Sequence, residues 1–143
     1  MSSLKKVLVT GATGQIGYMT YKRLLEQPDK YDAYALDCKR EPSVRVPESW
    51  TLEIPDDKFR LCDISDFEQV RQAVEGMEVV AHLAADPGSG DWQSLLSNNI
   101  IGTYNVFEAC REAGVRRIVA ASSIMVSQAV SYTHLTLPTI YSV

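Results

Sequence analysis

The sequence predicts an α/β fold, a doubly wound parallel sheet covered by helices. Three observations carry that expectation. Short apolar runs alternate with segments of helical period along most of the chain, three glycines follow the first run directly, and an acidic residue closes the second. At 143 residues, with 45% hydrophobic and 22% charged residues, the chain has the size and balance of one globular domain.

The first strand is expected at "KVLVT" (6–10), followed by a helix over "QIGYMTYKRLLEQ" and a strand at "YDAYALD" (31–37). Residues 38–58 hold Pro42, Pro47 and Pro55 without a convincing period, and read as an irregular loop with room for one short helix or strand. A third strand at "FRLCD" (59–63) leads to a helix over "SDFEQVRQAVEGM". Ser65 and Glu68 have the spacing of a capping box, in which a hydroxyl and a carboxylate satisfy free amides at a helix start. A fourth strand at "EVVAHLAA" (78–85) precedes one long helix over 91–113. Gly114 stands where a left-handed C-terminal cap would end that helix, and the fifth strand is expected within "RRIVAASS" (116–123). There are no internal repeats and no linker to a second domain, so 1–129 reads as one domain.

The spacing in "VLVTGATGQIG" gives the glycines distinct tasks. Gly11 permits the strand-to-helix turn, Gly14 lets the backbone approach a pyrophosphate, and Gly17 lets the helix pack closely. Amides at the helix start would then face the phosphate charge. Gly11, Thr13, Gly14, Gln15, Ile16 and Gly17 are therefore expected against a dinucleotide. Asp37, at the end of the second strand, can accept hydrogen bonds from the adenosine ribose hydroxyls. Its carboxylate favours NAD over NADP, whose 2'-phosphate it would repel. A phosphate loop of the Gly-Lys-Ser/Thr kind is excluded, because no such triplet follows the glycines.

Other classes fall away on composition. A net charge of −4 without a basic cluster argues against a nucleic acid partner. The apolar runs are too short to span a membrane, and no secretion signal precedes the first strand, so the cytoplasm is the expected compartment. Cys38, Cys62 and Cys110 form neither a disulfide framework nor a metal motif and read as small core residues. His82 reads as a core-facing strand residue rather than a base, and no metal site is expected.

With these motifs in place, the chain from about Lys6 to Ser123 resembles the extended short-chain dehydrogenase/reductases, or NAD-dependent epimerase/dehydratase family. The stretches "GATGQIG", "LCDISD", "VVAHLAA", "NNIIGTYNVFEACREAGV" and "RIVAASS" carry the resemblance, and "HLAADP" with "NIIGTYNVFEA" look most like its uronate dehydrogenase branch. The resemblance implies a Rossmann-type sheet of order 3-2-1-4-5 with the fifth strand as an open edge. It implies that Asp63 bonds the adenine amino group, that Ile64 touches the ring, and that Leu83, Ala84 and Ala85 line the middle of the cofactor. Asn99 would be the family's helix asparagine, holding a kink or a water, unless it bonds its own helix backbone. Ser123 would be the catalytic serine, with Ser122 as the neighbouring alternative. The implied substrate is a sugar acid or nucleotide sugar, and a homodimer of the full-length protein is compatible with it.

Hydride transfer needs a group that takes the substrate hydroxyl proton. In the family a tyrosine does this, with a lysine four residues on. No Tyr-x-x-x-Lys follows Ser123, and the last lysine of the chain is Lys58. Tyr18 and Lys22 match the pattern but fall in the first helix, at the pyrophosphate end. Residues 130–143 lack charge and amphipathic period, and "VSYTHL" back-translates to GTC TCT TAT ACA CAT CTG, which contains the end of a sequencing adapter. A native chain stopping near Gln128 or Ala129, followed by a non-native tail, is therefore expected. So is an inactive fragment. A noncatalytic dinucleotide sensor or interaction module is the alternative from another functional class.

Overall fold

The structure, a computed structural model, describes residues 4–51, 53–88 and 91–123. The expectations about the tail and about Ile124 onward lie outside those residues. The elements in chain order are β1 (Lys5–Thr10), α1 (Gln15–Leu25), β2 (Tyr31–Asp37), a 3-10 turn (Asp56–Lys58), β3 (Phe59–Leu61), α2 (Phe67–Val74), β4 (Val79–His82), α3 (Trp92–Leu95), a π-helical segment (Leu96–Gly102), α4 (Thr103–Glu112) and β5 (Arg117–Ala120). The five strands form a parallel sheet of order β3-β2-β1-β4-β5, as expected.

Successive side chains of a strand point to opposite faces, and each face has its own core. Leu8, Tyr34, Leu36 and Val80 pack with Val70, Ala73 and Val74 of α2 and with Val106, Ala109 and Cys110 of α4. On the other face Val9, Ala33 and Ala35 meet Tyr21 of α1 and Phe59. β5 pairs with β4 alone among the described residues, and Val119 is 55% exposed there.

Several expectations change in detail. The N-cap of α2 lies one residue later than Ser65 and Glu68 would put it, and a bond between side chains replaces the return bond of a capping box. Asp66 caps α2 by accepting from the Gln69 amide (3.1 Å), and the Gln69 side chain returns a bond to Asp66. Ser65 stands one position before the cap, and its amide and hydroxyl both donate to Asp63 Oδ1 at 2.9 and 2.8 Å. β3 and β4 stop before Cys62 and Leu83, where the backbone leaves the sheet to form the rim of a cleft. The single long helix is interrupted by its π segment. Cys62 and Cys110 are buried as core residues, and burial pushes their thiols up to about 12 and about 11. Cys38 departs from that reading, being exposed beside Asp37 at the strand end. Gly114 behaves as expected, with φ of 70° and the Val115 amide bonded back to the Cys110 carbonyl (2.9 Å).

Candidate functional site

The carboxyl ends of all five strands open into one cleft of about 940 Å3. A parallel sheet places its ligand site there, where the connections diverge on either side of the first strand. Gly11, Thr13, Gly14, Gln15, Ile16, Gly17, Asp37, Asp63, Ile64, Leu83, Ala84, Ala85, Asn99 and Ser123 all line it. The sequence reading therefore gathered residues from across the chain into one place. Ser122 lines it too, so the choice between the two serines rests on the resemblance.

The glycine turn fits a ligand that needs bare backbone. Gly11 has φ of 70°, and a Cβ there would stand 2.8 Å from the Ala84 backbone, so glycine is required by both conformation and contact. A Cβ on Gly17 would stand 1.9 Å from the Gly11 carbonyl oxygen. Only glycine lets α1 start this close to the turn. That helix begins at Gly14 with no side-chain cap and no acid in its first turn, whereas Asp66 and Asp91 cap α2 and α3. An uncapped helix start at a cleft mouth offers amides and a partial positive charge to an anion. Asp37 is held in place by its neighbours: Oδ2 accepts from the Thr13 amide (3.0 Å) and Oδ1 from the Cys38 amide (2.8 Å). The carboxylate thus joins the end of β2 to the glycine turn, with lone pairs left for further donors.

Beyond β4 the cleft wall is fixed by groups that the sequence reading undervalued. Thr10 Oγ1 accepts from the amides of both Leu83 and Ala84 at 3.1 Å. Its one proton is then left for His82 Nδ1 at 2.9 Å. Nδ1 is therefore the acceptor, and the Nε2 proton donates to Thr103 Oγ1 at 3.1 Å. Burial holds the His82 pKa below its ordinary value. The core-facing reading of His82 stands, with a precise task added. Asn99 bonds no carbonyl of its own helix. Its Oδ1 accepts from the Asp86 amide (2.7 Å) and its Nδ2 donates to the Asp86 carbonyl (3.0 Å), clamping the post-β4 loop onto the π segment. Asn98 takes the local bond, donating to the Ser94 carbonyl.

The helix also holds the loop after β3. Buried Asn105 donates to the carbonyls of Ile64 (2.9 Å) and Ser65 (3.0 Å). Ile64 is buried, and its side chain packs where a Cβ on Gly102 would stand 2.7 Å away, so much of it serves the core rather than a ligand. Thr10, Thr103 and Asn105 had a sequence signal that was not used: polar residues on otherwise apolar strand and helix faces. Tyr18 does not line the cleft; it stacks on Trp50 with ring centroids 5.4 Å apart. Among the described residues no group of three or more His, Cys, Asp or Glu could hold a metal, and no helix is long and apolar enough to cross a membrane.

Fold and cleft together define a dinucleotide-binding α/β domain of Rossmann type. Comparison with known proteins carries this further: the chain belongs to the NAD dependent epimerase/dehydratase family, which it matches over residues 7–137. It is similar to the NAD-dependent glucose-6-phosphate dehydrogenase of Haloferax volcanii, with 35% identity over 118 residues, covering 82% of this chain and 42% of that protein. It is also similar to the uronate dehydrogenase of Agrobacterium fabrum, at 32% over 120 residues, covering 84% of this chain and 41% of that protein. Among solved structures, a variant uronate dehydrogenase from Agrobacterium tumefaciens complexed with NAD matches with a TM-score of 0.68 and 32% identity. The match covers 85% of this chain and 42% of that one. The chain thus spans less than half the length of these relatives.

Proposed function

We propose that the cleft binds NAD, and that this chain is the cofactor-binding part of an oxidoreductase or epimerase acting on a sugar acid or nucleotide sugar. The observation that carries the reading is the uncapped start of α1 against the Gly11 turn, with Asp37 fixed beside it. The similar uronate dehydrogenase solved with NAD supports the cofactor and the carbohydrate class together. The reading includes a cytoplasmic protein and a homodimer in the full-length form. Exposed Ile100, Tyr104 and Phe107, spaced at helical intervals on the segment 96–112, offer a face for such a dimer.

In this reading Asp37 accepts from the ribose hydroxyls, Asp63 from the adenine amino group, and Leu83, Ala84 and Ala85 keep the central wall free of bulk. Ser123 orients the substrate oxygen. Bound NAD supplies the hydride acceptor. A serine hydroxyl is far too weak a base near neutral pH to take the substrate proton, and no Tyr-x-x-x-Lys follows Ser123. The 143-residue chain is accordingly a binder without turnover.

Calorimetric titration tests the cofactor choice. A 2'-phosphate about 4 Å from the Asp37 carboxylate would be repelled by roughly 4 kcal/mol per pair of unit charges at an effective dielectric near 20. NAD should bind more tightly than NADP, and Asp37→Asn should narrow the gap. Tighter binding of NADP by the unsubstituted chain would refute the assignment.

A further inference from the structure

The crossover between β2 and β3 is longer than a connection in a compact domain requires, and long connections of this kind commonly serve a ligand. Here it is docked rather than loose. The Ser43 amide donates to the Thr13 carbonyl (2.9 Å), and the Val46 amide closes a turn on the Ser43 carbonyl (2.8 Å). Val46 is buried, and Trp50 stacks on Tyr18 of α1. These contacts hold the loop against the glycine turn and the first helix. They also bring Ser43 and Arg45 to the cleft. Two residues of extended chain span at most about 7 Å, so the Arg45 guanidinium, on its long stem, is within reach of the Thr13–Gly14 turn.

The charges around that turn give Arg45 a task. Asp37, Asp63 and Asp86 line the cleft, whereas the start of α1 contributes only about half a positive charge. Lys39 and Arg45 are the lysine and arginine residues lining it among the described residues. Arg40 is engaged elsewhere, paired with Asp56 at 2.7 Å and lying over the Phe59 ring. Arg45 uses its backbone amide on Ser43 Oγ, and its guanidinium makes no ion pair among the described residues. A loop docked through Val46 and Trp50, with Val44 between the docked points left exposed, carries this cation beside an uncapped helix start. Both features suit the same diphosphate.

We propose that Arg45 is a phosphate-binding residue, its guanidinium contacting the bridging pyrophosphate of the dinucleotide and completing the anion site begun by α1. This rests on the reading of the cleft as an NAD site. The test is titration of the 143-residue chain and its Arg45→Ala and Arg45→Lys forms with NAD, NADP, ADP and adenosine, with circular dichroism melts as the folding control. Arg45→Ala should weaken NAD and ADP about tenfold, the scale of one charge-assisted hydrogen bond, and leave adenosine unchanged. Arg45→Lys should recover part of the loss, and Trp50→Ala, which undocks the loop, should reproduce it. Unchanged NAD affinity in Arg45→Ala would overturn the proposal. So would a loss confined to NADP, which would move the contact to the 2'-phosphate, or an equal loss for adenosine, which would make the effect one of loop structure. If the unsubstituted chain melted cooperatively yet bound neither NAD nor adenosine, the reading of the cleft would fail, and this proposal with it.

Discussion

At the scale of single residues, Gly17 and His82 set opposite kinds of limit. Alanine inside a helix is normally favoured over glycine by about 1 kcal/mol. At position 17 its methyl would meet the Gly11 carbonyl carbon at 2.6 Å and the Ala12 Cα at 2.9 Å, all backbone that cannot swing away. The clash should win, so Gly17→Ala is expected to cost about 3 kcal/mol or more in urea unfolding. His82 acts through its protons. Its pKa is lowered in the fold by burial, so the unfolded chain binds more protons as the pH falls below the ordinary value of 6.5. The stability it contributes is complete above that pH and is lost as the pH falls through the folded pKa. Urea midpoints should therefore drop between pH 7 and 5.5, and His82→Gln should flatten that slope. An unchanged slope in the variant would assign the pH dependence to other groups.

The element that organises the cleft is the helix running from α3 through the π segment into α4. Asn99 grips the loop after β4, Thr103 meets His82, and Asn105 grips the loop after β3. Asn105→Ala would leave two carbonyls without this donor, at a cost of about 1–3 kcal/mol for each buried group left unsatisfied. The variant should melt earlier and bind adenosine more weakly than the parent. Normal adenosine affinity in a destabilised variant would limit Asn105 to a structural role. The element scale also marks what was legible in the sequence. Strand-helix alternation and the glycine spacing carried the parallel sheet, because hydrophobic period and turn chemistry are local properties, whereas the strand order came from the resemblance to the family. The π segment was not legible in the helical period, although the resemblance implied a kink or a water at Asn99. The segment coincides with the bonds that Asn99 makes to a loop 13 residues away, and no local period encodes such bonds. Ser65 was misjudged as a cap because the adjacent Asp66 is equally eligible, and it is Asp66 that accepts the Gln69 amide at the helix start.

At the scale of the whole molecule, the cleft gathers its lining residues from the connections after all five strands, yet the chain spans less than half of its similar relatives. Losing an acid-base group alone costs about 10² to 10⁴ in rate. The chain should therefore give no increase in absorbance at the reduced nicotinamide band with uronic acids or other sugar acids, while still binding NAD. A counterpart extended by a segment carrying a Tyr-x-x-x-Lys motif should turn over. Turnover by the 143-residue chain itself would disprove the division of labour between binding and chemistry. The task of the Arg45 loop, and the partner that Thr103 finds in His82, were not legible for one reason. Their roles come from tertiary docking rather than from any motif.

The pair of asparagines on the long helix has a mechanical consequence. Asn99 and Asn105 are two fixed grips on one rigid bar, and the span between them is a gauge that sets how far apart the two cleft loops stand. Either loop can be altered while that gauge holds. Adding one residue between the grips would rotate one past the other by about 100°, leaving each loop intact and the cleft between them mis-sized.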